Sequence, residues 1–126
     1  MSTSPDLGLP FVVAGQAQPE ITMNECLIRL QALTSAAIDW TDTEPTSPVA
    51  GDVYLVGASP VGTNWTAEFA NKIVIYYGGS WRKVPDVDSD GADIPMGLRH
   101  DGLCIFVRGS LNILMRWNGS AWVASV

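Results

Sequence analysis

The sequence predicts an α+β fold that is mostly β: one N-terminal amphipathic helix followed by a small antiparallel β-meander or partial barrel. Two observations lead to this prediction. One stretch, residues 19–36, carries apolar residues at helical spacing, whereas the rest consists of short apolar runs separated by Gly, Pro and Asn turns. With 126 residues the chain is expected to form a single domain. We divide it into an extended N-terminal arm (1–18), the helix (19–36) and a β-rich body (37–126).

The N-terminal arm is predicted to lack regular structure. Residues 1–6 are expected to form a mobile tail. The apolar run 7–13 contains Gly8 and Pro10, which disfavour a helix. Its apolar side chains must cover the domain's own helix or contact a neighbouring chain, and both alternatives stay open. These side chains include Leu9, Phe11 and Val13.

The helix is predicted to have its N-cap at Thr22. Glu25 follows three residues later, which is the spacing of a capping box. Behind it runs an apolar stripe at three- and four-residue steps, so one face of the helix needs a covering surface. The stripe consists of Cys26, Leu27, Leu30, Leu33 and Ala37. Arg29 and Gln31 fall outside this stripe.

The body is predicted to contain short strands joined by tight turns. The expected strands are 37–40, 52–56, 72–77, 81–84, 103–108, 112–117 and 121–126, the last three forming a meander through Gly109-Ser110 and Asn118-Gly119 turns. Residues 58–71 are expected to form a long loop. Segments 73–81 and 113–122 echo each other, because each has an aromatic-ended strand, a turn with Gly-Ser and a following Trp. Aromatic pairs across such hairpins stabilise a sheet.

Charge and composition exclude several classes of partner. The net charge is −6 and the seven basic residues are scattered, so neither nucleic acid nor an anionic membrane is an expected partner. Apolar residues make up 47% and charged residues 16%, which favours a folded protein in an oligomer or larger assembly.

The N-terminus lacks the basic start of a signal peptide. We therefore expect assembly in a cytoplasm, with Cys26 and Cys104 as buried, reduced thiols.

One acidic stretch has the beginning of a calcium-binding loop. Asp86, Asp88 and Asp90 alternate and Gly91 follows them, as in an EF-hand loop. The twelfth position is Gly97 rather than a bidentate Glu. Asp93 is available as one further ligand. We interpret the stretch as a solvated acidic turn and keep a non-standard calcium site as the alternative.

His100 and the five tryptophans are the remaining residues with possible chemical roles. His100 is the only histidine, and no nucleophile-elbow motif accompanies it, so we expect a surface loop histidine and no enzyme activity. No phosphate-binding loop precedes the helix, so no cofactor is expected. The five tryptophans are predicted to be core and hairpin residues. Trp65, in the long loop, is the candidate exception that would contact a glycan.

The stretch around the start of the helix resembles a known family. Segments 16–18, 20–22 and 24–25 (Gln-Ala-Gln, Glu-Ile-Thr and Asn-Glu) are similar to the N-terminal signature of a phage domain family of unknown function. Its members occur in tailed-phage fibre and spike proteins and in the head spikes of gene transfer agents. Pro19 and Met23 depart from the pattern, which often has Lys and His there. The segments 9–10, 51–57 and 117–122 also fit.

The resemblance implies a non-enzymatic virion structural protein. Long fibre proteins carry a receptor-binding region after such a domain, whereas this sequence ends at Val126. The expected role is therefore a fibre or spike adaptor, or a decoration protein, that docks an appendage on the particle. The implied partners are further copies, as a homotrimer, and other virion proteins. The expected contact residues are Leu9, Phe11, Val13, Leu27, Leu30 and Leu33. The alternative is a carbohydrate-binding module that contacts the host surface, and a hydrolase using the acidic stretch is weaker still.

Overall fold

The computed structural model describes residues 3–109 and 111–125. It contains helix α1 (Pro19–Thr34) and seven strands: β1 (Trp40–Thr43), β2 (Val53–Val61), β3 (Ile73–Tyr77), β4 (Ser80–Val84), β5 (Cys104–Val107), β6 (Ile113–Trp117) and β7 (Trp122–Ala124). Short 3₁₀ turns lie at Ala67–Phe69 and Leu98–His100. Residues 1 and 2 of the predicted tail, Ser110 of a predicted turn and Val126 of the last predicted strand lie outside the described residues.

The strands form two sheets, which confirms the predicted α+β, mostly β fold. The first sheet has the order β1-β2-β3-β4 and the second has the order β5-β6-β7. All neighbouring strands are antiparallel except β1 and β2, which are parallel. The described strands form two open sheets rather than a closed barrel.

Two hairpins of related sequence were predicted, and both are present. In the first, Gly78 and Gly79 have φ angles of 60° and 83°, which suits a two-residue turn with a left-handed backbone. Tyr76 and Trp81 face each other across the strands with ring centroids 5.1 Å apart. In the second hairpin, Trp117 and Trp122 face each other at 5.5 Å.

The region around β1 differs from the prediction. Ala37, expected in the first strand, instead forms an isolated bridge with Val107 of the second sheet. The strand itself is Trp40–Thr43, and β2 continues to Val61, into the region expected to be a loop. Strand β2 extends this far because it pairs with β1, a contact between segments that are distant in sequence. After a bulge in this pairing, Thr43 is the partner of Val61.

One buried cluster joins the helix and both sheets. It is formed by Ala32, Ala37, Val53, Leu55, Ile73, Ile75, Val84, Ile105, Val107, Met115, Trp117 and Trp122. A second, smaller cluster of Val56, Trp65, Val74 and Trp81 is separate from it. Successive residues of β3 belong alternately to the two clusters, as expected for a strand that is buried on both faces.

The helix starts one turn earlier than the predicted cap. It begins at Pro19, a position at which the missing N–H of proline costs nothing, and no side chain caps it. Gln18 precedes it with a φ of 54°. Thr22 therefore lies inside the helix, where its hydroxyl accepts a hydrogen bond from the Gln16 amide. The prediction of a capping box from Thr22 to Glu25 is wrong.

The N-terminal segment is attached to the body rather than forming a mobile, extended tail. Residues 3–10 fold back on themselves through a bridge between Thr3 and Pro10, and Thr3 is buried. The Leu7 carbonyl accepts a hydrogen bond from the Asp86 N–H at 3.0 Å. Residues 11–15 of the arm are exposed.

Candidate functional site

A groove lies between the N-terminal arm and α1. Its volume is about 360 Å³ and its lining is mainly apolar. We call it the arm–helix groove. The lining consists of Gly8, Pro10, Phe11, Val13 and Gln16 from the arm, Ile21, Thr22, Glu25 and Arg29 from the helix, and Asp86 from the loop after β4.

Apolar side chains of both the arm and the helix are exposed. Their exposed fractions lie between 40% and 54%. They are Phe11, Val12, Val13, Ile21, Met23, Leu27 and Leu30. Of the six predicted contact residues, Phe11 and Val13 line the groove, and Leu27 and Leu30 are exposed further along the helix. Leu9 is half-buried, and Leu33 packs against the main core.

The buried face of α1 includes Leu33 of the predicted stripe but not Leu27 or Leu30. The helix packs against β3 and β4, and its inward residues are Ile28, Ala32 and Leu33. Arg29, expected off the packed face, is also turned inward and is only 12% exposed. The helix is therefore rotated from the predicted orientation, which leaves Leu27 and Leu30 uncovered.

Ion pairs hold this rotated helix against the body. Arg29 contacts Glu25 at 2.9 Å and Asp86 at 2.6 Å, and Arg82 of β4 contacts Glu25 at 2.8 Å. Hydrogen bonds from Arg82, together with those from Arg29, outweigh the effect of burial and hold the pKa of Glu25 below its ordinary value. Three groove residues, Glu25, Arg29 and Asp86, thus belong to one charged network.

The network continues away from the groove through two lysines. Lys83 contacts Asp86 and Asp93 at 2.9 Å each, and Lys72 contacts Asp93. Burial raises the pKa of Asp93, but the hydrogen bonds from both lysines more than offset this and lower it. Burial lowers the pKa of Lys72 despite its carboxylate partner, whereas the Asp93 and Asp86 carboxylates outweigh burial and raise that of Lys83.

The predicted calcium-loop carboxylates do not converge. Asp86 binds Arg29 and Lys83. An oxygen of Asp88 accepts the backbone N–H groups of Asp90 and Ala92 at 2.9 and 3.0 Å, which closes a local turn. Asp90 is exposed. Across residues 3–109 and 111–125, no group of three or more His, Cys, Asp or Glu side chains is arranged to hold a metal ion.

Trp65 is buried, so the expectation that it presents a face to a glycan is wrong. Its ring contacts Trp81 and Tyr54 edge-on, with centroid distances of 5.4 and 6.0 Å. Glu44 accepts its backbone N–H at 3.0 Å and so fixes the loop that carries it. Among the five tryptophans Trp40 is the exposed one, and it borders a shallow cleft with Thr41, Asp42, Gly57 and Ala58.

His100 and Cys104 also lie differently from expectation. His100, predicted on the surface, is buried, and its ring nitrogens contact the backbone groups of Gly97 and Asp6. Cys104, predicted buried, is exposed on β5 because its side chain lies on the outer face of the second sheet. Both cysteines are free thiols. In the part of the chain that the structure describes, no helix has the length and apolar character needed to cross a membrane.

Comparison with known proteins gives one family. The family model described as "Protein of unknown function (DUF2793)" matches residues 23–91, more than half of the chain. The matched part runs from Met23 in α1 through the whole first sheet to the acidic loop, and it includes Glu25, Arg29 and Asp86. No curated protein and no solved structure matches the chain.

Proposed function

The chain belongs to the DUF2793 family, whose function is unknown, and we propose that it is a non-enzymatic structural protein of a bacteriophage or gene-transfer-agent particle. In this role it is a fibre or spike adaptor, or a decoration protein, that docks an appendage. The proposal combines the sequence resemblance of the helix region to fibre and head-spike proteins with the geometry of the arm–helix groove. The resulting localisation is the virion, after assembly in the host cytoplasm.

The observation that carries this proposal is the exposure of apolar side chains on the arm and on the helix. Large apolar side chains of the arm and the helix are exposed, and exposed apolar surface of this kind is characteristic of a region that another chain covers. The ion pairs of Arg29 with Glu25 and Asp86 fix the helix that presents this surface. A surface held rigid before binding loses less conformational entropy when a partner docks.

We propose that the first occupant of this surface is another copy of the chain, in a homotrimer. In a closed ring of three, each copy presents the same two different patches to its neighbours. The arm with Phe11 and Val13 is one such patch, and the helix with Leu27 and Leu30 is the other. Another virion protein then occupies the surface that the ring leaves open.

The oligomeric state tests the trimer. Sedimentation equilibrium is expected to give three times the monomer mass of 13.5 kDa for the unchanged chain. The double change Phe11→Ser and Leu27→Ser is expected to give monomers with an unchanged circular dichroism spectrum. The control is Phe106→Ser, which removes an equally apolar side chain from the outer face of β5. A monomeric unchanged chain, or a trimer that survives the double change, would contradict the proposed interface.

The virion role is tested on particles. Gold-labelled antibody against this protein is expected to mark discrete points on the capsid or at the tail tip in electron micrographs. Permeabilised or partly disassembled particles are labelled in parallel, so that a buried protein is also reached. Absence of label in both preparations, while a capsid antibody labels well, would contradict the virion role.

One observation favours a second function, carbohydrate binding. Trp40 exposes its ring beside a cleft that also contains the polar side chains of Thr41 and Asp42. Aromatic faces stack on sugar rings, and neighbouring polar groups fix the orientation of a bound ligand. Quenching of tryptophan fluorescence by a host polysaccharide, lost in Trp40→Ala, would support this function. No quenching across a glycan panel would exclude it.

A further inference from the structure

The exposed ring of Trp40 belongs to a small cleft at the edge of the first sheet. Strand β1, which carries Trp40, is the outer strand of this sheet. Between Thr41 and Thr43 its parallel pairing with β2 shifts register, so Asp42 lies opposite the extra residues 57–60. Bulges of this kind re-aim side chains and are over-represented next to active sites. We call the resulting cleft, lined by Trp40, Thr41, Asp42, Gly57 and Ala58, the Trp40 cleft.

The bulge fixes the position of the Asp42 carboxylate. Its Oδ1 accepts the backbone N–H of Ser59 at 3.2 Å. A Cβ at position 57 would overlap this oxygen, so Gly57 makes the room that the carboxylate occupies. Within the described part of the chain, Oδ2 has no hydrogen-bond partner, and Asp42 is exposed. One oxygen therefore holds the carboxylate in place while the other can accept a hydrogen bond from a ligand.

The Trp40 cleft combines this carboxylate with an aromatic ring in a small space. Its volume is about 150 Å³, whereas pockets that enclose a whole ligand usually measure about 300–1,000 Å³. The cleft is therefore suited to one ring of a longer molecule. An exposed indole offers a flat apolar face to such a ring, and a carboxylate is a strong acceptor for a hydroxyl at its rim.

The charge of the cleft is negative. Asp42 is the one charged residue in its lining. Asp39 adds a second carboxylate beside it, since its Oδ1 accepts the Trp40 backbone N–H at 2.8 Å. The basic residue Arg108 is joined to this region through its backbone N–H, which donates to the Ala37 carbonyl, but it does not line the cleft. A negatively charged ligand would thus meet a like charge at contact distance, which is strongly unfavourable.

We propose that the Trp40 cleft takes an uncharged sugar, whose ring stacks on the Trp40 indole and whose hydroxyl donates to Oδ2 of Asp42, and that the same carboxylate excludes sugars with a negative charge. This selectivity presupposes the carbohydrate binding proposed above as the second function, and it adds the class of sugar. Asp42 then has two effects, because a single group attracts the right ligand and repels the wrong one.

Matched pairs of sugars that differ by one charge test the selectivity on the unchanged chain. Oligosaccharides of glucose, galactose and mannose are compared with those of the corresponding uronic acids, in which a carboxylate replaces the hydroxymethyl group. Binding is followed by nuclear magnetic resonance, from the indole N–H of Trp40 and the backbone amides of residues 57–59. The Trp40 signal is assigned by its absence in Trp40→Ala. We expect at least one neutral sugar to bind, and to bind more than about tenfold more tightly than its uronic acid partner.

Asp42→Asn separates the charge of this residue from its shape. The asparagine oxygen can still accept the Ser59 N–H, so the bulge is kept. Neutral sugars are expected to bind about fivefold more weakly, because a charged acceptor forms the stronger hydrogen bond, and the preference over uronic acids is expected to disappear. Asp90→Asn removes an exposed carboxylate from the acidic turn and is the control, which should leave both affinities unchanged.

The outcomes distinguish the selectivity from carbohydrate binding itself. Uronic acids that bind as tightly as their neutral partners, or a preference that survives in Asp42→Asn, would overturn the selectivity but not carbohydrate binding. The first of these is read from the unchanged chain and does not depend on folding of a variant. No binding of any sugar in the panel, or binding that is unchanged in Trp40→Ala, would overturn both proposals.

Discussion

Arg29 lies on the buried face of α1 and forms ion pairs there. By spacing it falls outside the apolar stripe, yet its guanidinium lies inward between the Glu25 and Asp86 carboxylates. A planar guanidinium can bind two carboxylates at once, which a lysine ammonium does less well. Asp86 is 57 residues further along the chain. No local pattern reveals such a partner, so the sequence could not predict the orientation of the helix.

Because Arg29 is buried, its removal is expected to lower the free energy of unfolding. Arg29→Met leaves Glu25 and Asp86 each with one cation fewer, and we expect the free energy of unfolding to fall by about 3 kcal/mol. The matched control is Arg116→Met, since Arg116 is 42% exposed and its pair with Asp101 is open to solvent. That change should cost less than about 1 kcal/mol. Urea unfolding followed by circular dichroism gives both values, and equal losses would show that the network does not stabilise the helix.

Two carboxylates of the charged network, Glu25 and Asp93, predict how the free energy of unfolding depends on pH. The pKa values of Glu25 and Asp93 are lowered in the folded protein from ordinary values of 4.5 and 3.8. As the pH falls through these ordinary values, the unfolded chain binds protons before the folded one does. The contribution of these two groups to the free energy of unfolding is therefore expected to be constant above about pH 5.5. Below that pH it should fall, until the carboxyls of the folded protein are also protonated.

Glu25→Gln isolates the contribution of one of these groups. Urea unfolding at a series of pH values should show a shallower acid decline for this variant, because one titrating group with a lowered pKa is gone. Glu20→Gln removes an exposed carboxylate from the same helix and is the control. An unchanged acid slope in Glu25→Gln would mean that Glu25 does not contribute to it.

Among the elements, those fixed by local contacts were predictable. The hairpin of β3 and β4 follows from two apolar strands and the pair Gly78-Gly79, whose left-handed backbone suits glycine. The meander of β5 to β7 follows in the same way. The N-cap of α1 was not predictable by the same local rules. Thr22 has the right spacing for a cap, but Pro19 already begins the helix and Gln16 occupies the Thr22 hydroxyl.

Two neighbouring aliphatic residues of α1 test its observed orientation. Ile28 packs against the main core, whereas Leu27 is 54% exposed. Ile28→Ala is expected to lower the free energy of unfolding by about 2 kcal/mol. Leu27→Ala should change it by less than about 0.5 kcal/mol in dilute, monomeric protein. The predicted apolar stripe, which contains Leu27 but not Ile28, would require the opposite order, so urea unfolding of the two variants distinguishes the two orientations.

At the scale of the whole molecule, the fold class was predictable and the arrangement of its parts was not. The parallel pairing of β1 with β2 and the bridge from Ala37 to Val107 join segments that are distant in sequence. The same holds for the candidate site. The sequence predicts the arm and the helix as contact elements, and this stays a prediction. Trp65, predicted as the tryptophan that contacts a glycan, is buried by the distant Trp81 and Tyr54. Which apolar residue stays exposed depends on partners that are distant in sequence, and the periodicity of apolar residues gives no information about such partners.

The shared core predicts that both sheets unfold together. Trp122 of β7 belongs to the same buried cluster as Ile73 and Ile75 of β3, and its Nε1 donates to the Asn71 carbonyl at 2.7 Å. A tie of this kind couples the second sheet to the first, although the family match ends at residue 91, before the second sheet begins. We therefore expect one two-state transition, with far-ultraviolet circular dichroism and tryptophan fluorescence giving the same curve.

Trp122→Ala tests this coupling at its contact point. The change is expected to lower the free energy of unfolding of the whole protein by about 3 to 5 kcal/mol, because it empties a buried site and leaves the Asn71 carbonyl without its donor. Trp40→Ala removes an exposed ring from the first sheet and should cost much less. Hydrogen exchange of β3 and β6 amides should accelerate together in Trp122→Ala. Acceleration confined to the second sheet would show that the two sheets fold independently despite their common core.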